Sequence, residues 1–406
     1  MKDKKGILFV INDLRPGGAE MFVLRLAKYL SAYFNIYIFC LNPENNDKSL
    51  IKLFHENLNF EFINEKPLYI SPTRQKIYWK LNALGNIFGK KGIYNKLIHR
   101  RNNKNLKTQF IKNKITAITS SGFSSDYKSV FYFKKQFNIP VLITMHSSYN
   151  PENWHKYYGD ETKFINESNE IFKNADAIFY TADQNVEIFK KFINYSGHKP
   201  EKIYLGFEPE SASNIRDKYD IPENAFVVCM MARGIEEKGW KEAIESFIKL
   251  KEIYANSYFF IISTITEYIE KLKTEYSNEK NLIFTGFQAN PAAFLKSSNC
   301  SILPTYYPES LPYAITESLA CNLPVLATPV AEIPNMLNSE QGIAGELIPF
   351  DENNKANVNI LAEYLIKLAT DQEYYEEKKG LAKLAFEKFS MKKCGDAYHQ
   401  KLIQIN

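Results

Sequence analysis

Short apolar runs of four to eight residues alternate with helix-patterned stretches along almost the whole of this 406-residue chain. A strand covered on both faces reads as an unbroken apolar run, and a crossover to a parallel neighbour needs a helix. The alternation therefore predicts an α/β protein with parallel sheets and helices on both faces. One series comprises "GILFVI" (6–11), "NIYIFCL" (35–41), "AITS" (117–120), "PVLITMH" (140–146), "AIFYT" (177–181) and "KIYLG" (202–206). A second comprises "AFVVCMMA" (225–232), "YFFIIST" (258–264), "LIFTG" (282–286), "CSILP" (300–304), "PVLAT" (324–328) and "GELIP" (345–349). Between them "FEPESASNIRDKYDIPEN" (207–224) is polar and without periodicity, as a linker should be. The parse is two doubly wound domains, 1–206 and 207–390, with helical stretches at 357–370, 372–388 and 391–404 and no strand after them.

Composition narrows the class. At 45% hydrophobic and 24% charged residues the chain is suited to a packed core. No apolar run reaches the roughly 18 residues of a membrane span, and "GILFVI" is too short for a signal-peptide core, so a cytoplasmic protein is expected. Five widely spaced cysteines form no CxxC pair and are expected as buried thiols. The net charge of +5 is local: residues 71–116 carry 12 cations and no acid, leaving 39 basic against 46 acidic side chains elsewhere. Apolar residues such as Ile77, Trp79, Leu84 and Phe88 are interleaved with those cations. The segment 74–114 is either a solvated lysine-rich face or, the reading slightly preferred, a surface that meets an anionic membrane. No nucleic-acid partner is expected.

In open parallel sheets ligands gather beyond the carboxyl ends of strands, which selects a few positions. After the first strand, Gly17 and Gly18 precede a helical pattern; they suit either a tight turn or main-chain approach to an anion. His146 ends the fourth run, where it either reaches a cleft or packs. Arg233 and Lys238 flank the turn after "AFVVCMMA" and suit either a diphosphate or a solvated loop beside Glu236 and Glu237. Glu309 follows "CSILPTYYP", and a helix is expected from about Leu311 to Tyr313, with Pro312 in its first turn and Glu317 one turn in. Amides at such a helix start can hold phosphate while flanking carboxylates accept from vicinal hydroxyls. Ribose, diphosphate and hexose in sequence, a nucleotide sugar, have this layout.

With "GGAE" (17–20), "TMH" (144–146), "NADAIFYTADQNVEIF" (174–189), "KIYLGFEP" (202–209), "MARGIEEKGW" (231–240), "NLIFTGF" (281–287) and the E-x7-E stretch "ESLPYAITE" (309–317), the chain resembles the GT-B glycosyltransferases of the retaining family 4 over nearly its full length. The resemblance implies two Rossmann-like domains facing across a cleft, with the helix 391–406 returning to the first. It implies transfer of a hexose or N-acetylhexosamine from a nucleotide diphosphate sugar to a glycan acceptor. It assigns donor-sugar hydroxyls to Glu309, ribose hydroxyls to Glu317, diphosphate to Arg233, Lys238 and the segment Ser310, Leu311, Pro312 and Tyr313, sugar contact to His146, and phosphate contact from the opposite domain to Gly17 and Gly18. The chain holds no DxD triplet, so neither a metal nor another cofactor is expected. A lipid-linked acceptor and a peripheral site at the inner face of the plasma membrane are expected from the basic segment. A nucleotide-sugar epimerase and a non-catalytic polyanion-binding protein are the alternatives.

Overall fold

The computed structural model describes residues 4–15, 17–55, 58, 60–63, 104–146, 160–192, 198–209, 211–288 and 291–406. Most of the basic segment 74–114 lies outside them.

The first sheet has seven strands: β1 (Gly6–Ile11), β2 (Asn35–Cys40), β3 (Phe60–Phe62), β4 (Ile115–Ser121), β5 (Val141–Met145), β6 (Ala177–Tyr180) and β7 (Glu201–Lys202). Their order is β3-β2-β1-β4-β5-β6-β7, all parallel. The second half repeats the plan with β8 (Phe226–Met231), β9 (Ser257–Ile262), β10 (Leu282–Phe284), β11 (Cys300–Leu303), β12 (Val325–Ala327), a small antiparallel hairpin of β13 (Asn338–Ser339) and β14 (Gly342–Ile343), and β15 (Gly345–Leu347). Its six-stranded order, β10-β9-β8-β11-β12-β15, is again parallel throughout. Each sheet reverses its winding between its first and fourth strands, β1/β4 and β8/β11, and a crevice opens beyond the carboxyl ends at that switch point.

The strands form where predicted because their side chains are buried on both faces: β1, β5 and β11 are buried at every position. Three details go beyond that reading or differ from it. β3, only three residues long, gives no run that stands out from its surroundings. Of the run at 202–206 only its start reaches β6, through Lys202 and the Ile203 amide on the Tyr180 carbonyl at 2.9 Å, while Leu205 and the following Phe207 join the core. The helix after Glu309 begins at Tyr313, within the expected Leu311 to Tyr313, but extended Pro312 precedes it rather than lying in its first turn. All five cysteines are free thiols, four of them buried.

The chain crosses between the domains twice, side by side. Phe207 N–H donates to the Phe389 carbonyl at 2.7 Å, and Met391 N–H to the Phe207 carbonyl at 3.1 Å. The helix Met391–Gln404 then packs on the first domain, where fully buried Tyr398 lies against Phe22 and Phe179 and its hydroxyl meets Thr144 at 2.7 Å.

Candidate active site

A cavity of about 680 Å³ opens between the domains at the two switch points. That lies within the roughly 300 to 1,000 Å³ usual for small-molecule sites. The first domain lines it with Arg15, Gly17, Gly18 and Glu20, and the second with Arg233, Lys238, Glu309, Leu311, Pro312, Tyr313 and Glu317. Residues far apart in sequence meet here because each follows the carboxyl end of a strand at a switch.

The second-domain wall is built by two loops knitted together. After β8 the chain makes a single turn of 3-10 helix, Glu236–Lys238, and Gly239 reverses it at φ 79°. The Glu237 carbonyl accepts from the amides of Tyr306 and Tyr307, each at 3.0 Å, and from the Thr305 hydroxyl at 3.1 Å. The loop after β11 is thereby fixed on the turn after β8, and the buried Lys238 ammonium donates to the Glu309 carboxylate. The Trp240 indole N–H holds the Arg233 carbonyl at 2.9 Å. Beneath both cations lies the Tyr307 ring, its centroid 4.6 Å from the Arg233 guanidinium and 4.2 Å from Lys238 Nζ, a cation–π platform. Burial lowers the Lys238 pKa and the Arg233 charge adds to that, while Glu309 opposes it. Arg233 and Lys238 thus share one ring at the cavity wall, with Lys238 also paired to Glu309.

Both acids are also gripped from the first domain. Gln184 Nε2 donates to the Glu309 carbonyl at 2.5 Å. The Ser310 hydroxyl lies 3.3 Å from that of Thr181 and accepts from Asn185 Nδ2 at 3.1 Å. Arg25, from the helix Gly18–Leu30, donates through both terminal nitrogens to Glu317 Oε1 at 3.2 Å.

On the first-domain wall the Arg15 guanidinium is held by buried Asp13 at 2.8 and 3.1 Å, which raises its pKa. Burial raises the Glu20 carboxyl. Nothing lies within 4 Å of where a side chain on Gly18 would point, so the wall is open there.

Nine of the eleven residues named from sequence line the cavity: Gly17, Gly18, Arg233, Lys238, Glu309, Leu311, Pro312, Tyr313 and Glu317. Ser310 turns its hydroxyl to the first domain. His146 stands off the cavity, with Nε2 3.2 Å from the Ser121 hydroxyl and its ring edge-on to Phe22, and burial pushes its pKa down to about 4. Sequence reasoning names neither Arg25 nor Tyr307. Tyr307 carried a signal in its place two residues before Glu309, whereas Arg25 sits in an amphipathic pattern that gives none.

Residues 211–383 match the family model described as glycosyl transferases group 1. An uncharacterized glycosyltransferase of Methanocaldococcus jannaschii, MJ1059, is 26% identical over 166 residues, which is 39% of this chain and 41% of that relative. The structure of Anabaena Alr3699/HepE in complex with UDP and glucose superposes with a TM-score of 0.68 at 16% identity, covering 98% of this chain and 100% of that one. The chain has the GT-B glycosyltransferase fold. A second GT-B likeness is sucrose-phosphate synthase from Thermosynechococcus elongatus, with a TM-score of 0.69 at 18% identity and 99% coverage of each chain. The GT-B halves correspond to the two sheets, and the family-model match lies almost wholly over the second, which carries Arg233, Lys238, Glu309 and Glu317.

Proposed function

We propose that this chain is a retaining glycosyltransferase of family 4 that moves a hexose or N-acetylhexosamine from a nucleotide diphosphate sugar to a glycan acceptor. The observation that carries the reading is the cationic pair on Tyr307, with Lys238 bonded to Glu309, facing an open glycine wall across the domain gap. Arg233, Lys238 and the amides of Leu311 and Tyr313 receive the diphosphate. Glu309 takes donor-sugar hydroxyls and Glu317 the ribose. His146, bonded to Ser121 and off the cavity lining, is given no contact with the donor.

Breaking the sugar–phosphate bond leaves an oxocarbenium-like carbon and an anionic diphosphate, so stabilising the leaving group is the main task. Fixed donors do this without reorganising, and loss of one costs roughly 100- to 1,000-fold in rate. The acceptor oxygen bonds to the anomeric carbon on the face the diphosphate leaves, and its proton passes to the departing phosphate. No protein nucleophile is required. The two cations supply the positive charge that a DxD-bound metal supplies elsewhere, so turnover is expected to survive chelation.

For the acceptor we propose a lipid-linked glycan in bacterial surface polysaccharide or glycoconjugate synthesis, reached at the cytoplasmic membrane face. The helix 104–112 supports it: Lys104, Lys107, Lys112 and Ile111 are exposed while Leu106 and Phe110 are buried. Among the described residues no helix is long and apolar enough to cross a membrane. Flotation with anionic liposomes at low salt tests the membrane proposal, and absence of binding removes it.

The deciding assay offers a panel of UDP-, GDP- and ADP-sugars with and without lipid-linked acceptor. Release of nucleoside diphosphate that rises with acceptor is the expected result. Isomerised sugar without acceptor would make the protein an epimerase, and unchanged activity in Glu309→Ala would remove the donor site.

A further inference from the structure

We propose that Arg25 is a positioning residue: reaching from the first domain, it holds Glu317 for the nucleoside ribose, so that recognition by one domain depends on a side chain of the other. The inference rests on the donor reading above.

Three observations carry it. Glu317 lines the cavity, whereas Arg25 is not among the lining residues and meets the carboxylate from behind. The pair is nearly closed off from solvent, with side-chain exposures of 12% and 10%. The guanidinium is also immobilised, since its centre stands 4.5 Å from the Phe207 ring centroid and 4.9 Å from that of Tyr313. A guanidinium lodged between two rings that stand 73° to each other is pre-organised in a way a lysine ammonium is not. Burial alone would lower the Arg25 pKa, but Tyr313 and Glu317 outweigh it and leave it raised.

The helix carrying Arg25 is itself fixed. One turn on, the Tyr29 hydroxyl donates to Asp396 at 2.6 Å. A side chain on Gly395 would come within 2.2 Å of the Tyr29 ring, so the final helix crosses in contact with it. Arg25 thus has a rigid base in the first domain and a target in the second, and a fixed cation behind Glu317 offsets the repulsion between that carboxylate and a neighbouring diphosphate.

Titration calorimetry on the full chain tests the assignment. UDP, GDP and ADP are titrated first, and the tightest binder is then compared with its 2′-deoxy analogue and with inorganic pyrophosphate. Wild type is expected to prefer the ribonucleotide by about tenfold, the worth of a hydrogen bond to a charged group. Arg25→Ala should bring that ratio to about one with pyrophosphate binding unchanged, and Arg25→Lys should restore part of it. If Arg25→Ala fails to fold by circular dichroism, Arg25→Gln gives the same comparison. Retention of the full preference in a folded Ala or Gln variant overturns the inference, as does tighter nucleotide binding, which would make Arg25 a block. If no nucleoside diphosphate binds wild type, the donor reading fails first and takes the inference with it.

Discussion

Lys238 and Glu309 are each other's partner in a nearly dry site, with side-chain exposures of 6% and 13%. Removing one charge from such a pair strands the other, at a cost of about 3 to 5 kcal/mol, whereas removing both is far milder. Lys238→Met should therefore lose about 3 kcal/mol in urea denaturation, and Lys238→Met with Glu309→Gln should recover most of it. Donor turnover should fall about 100- to 1,000-fold in both, because the leaving group loses its ammonium either way. Recovery of stability without recovery of rate separates the two roles of Lys238. His146 allows a test by pH. Burial holds its folded pKa near 4, below the ordinary value of 6.5, so its contribution is complete above pH 6.5 and is lost as pH falls through 4. The melting temperature should drop across that window more steeply in wild type than in His146→Gln, and the pH–rate profile should show no limb near 6.5 from this residue. Parallel melting curves would end the assignment.

The turn Glu236–Lys238 with Gly239 is the smallest element on which the site depends. Gly239 occupies the left-handed region at φ 79°, and a Cβ there would come 2.1 Å from the Pro304 carbonyl. Gly239→Ala must adopt a backbone that costs about 1 to 2 kcal/mol and also push the two knitted loops apart. We expect a lower melting temperature together with pyrophosphate binding at least tenfold weaker, read by calorimetry. An Ala variant that binds as wild type does would show that the loops need not be held together. The elements themselves were readable from sequence wherever burial on both faces leaves a continuous apolar run, as in β1, whose bounds match "GILFVI", and in the final helix at 391–404. Glu309, Arg233 and Lys238 were readable because each follows such a run. What could not be read is non-local: Tyr307 matters only once two loops meet, and Arg25 only once two domains do.

At the scale of the whole molecule the site is a product of how the domains are held. The chain crosses between them twice at Phe207 and Ser390, where a hinge is expected. Beside it Glu332, 1% exposed, gathers the first domain: Oε1 accepts from Lys202 Nζ at 2.6 Å and the Tyr204 hydroxyl at 3.0 Å, and Oε2 accepts from the Asp183 amide at 3.0 Å. Asp183 opens the helix whose next two residues, Gln184 and Asn185, grip Glu309 and Ser310. One carboxylate thus sets the helix that sets the donor loop, and motion at the hinge is the natural way to admit and release substrate. Glu332→Gln keeps the volume but turns an N–H group toward donors. The closed arrangement should weaken by an amount on the order of 3 kcal/mol, more than a hundredfold in the equilibrium. Small-angle scattering should then show a larger radius of gyration for the free variant than for wild type. Saturating nucleotide should bring the two together, because a ligand bridging both walls supplies the closure that Glu332 no longer does. Identical scattering with and without nucleotide would mean that the two crossings and the apolar contacts around Leu205 hold the domains rigidly, and that the cleft admits its ligand without opening.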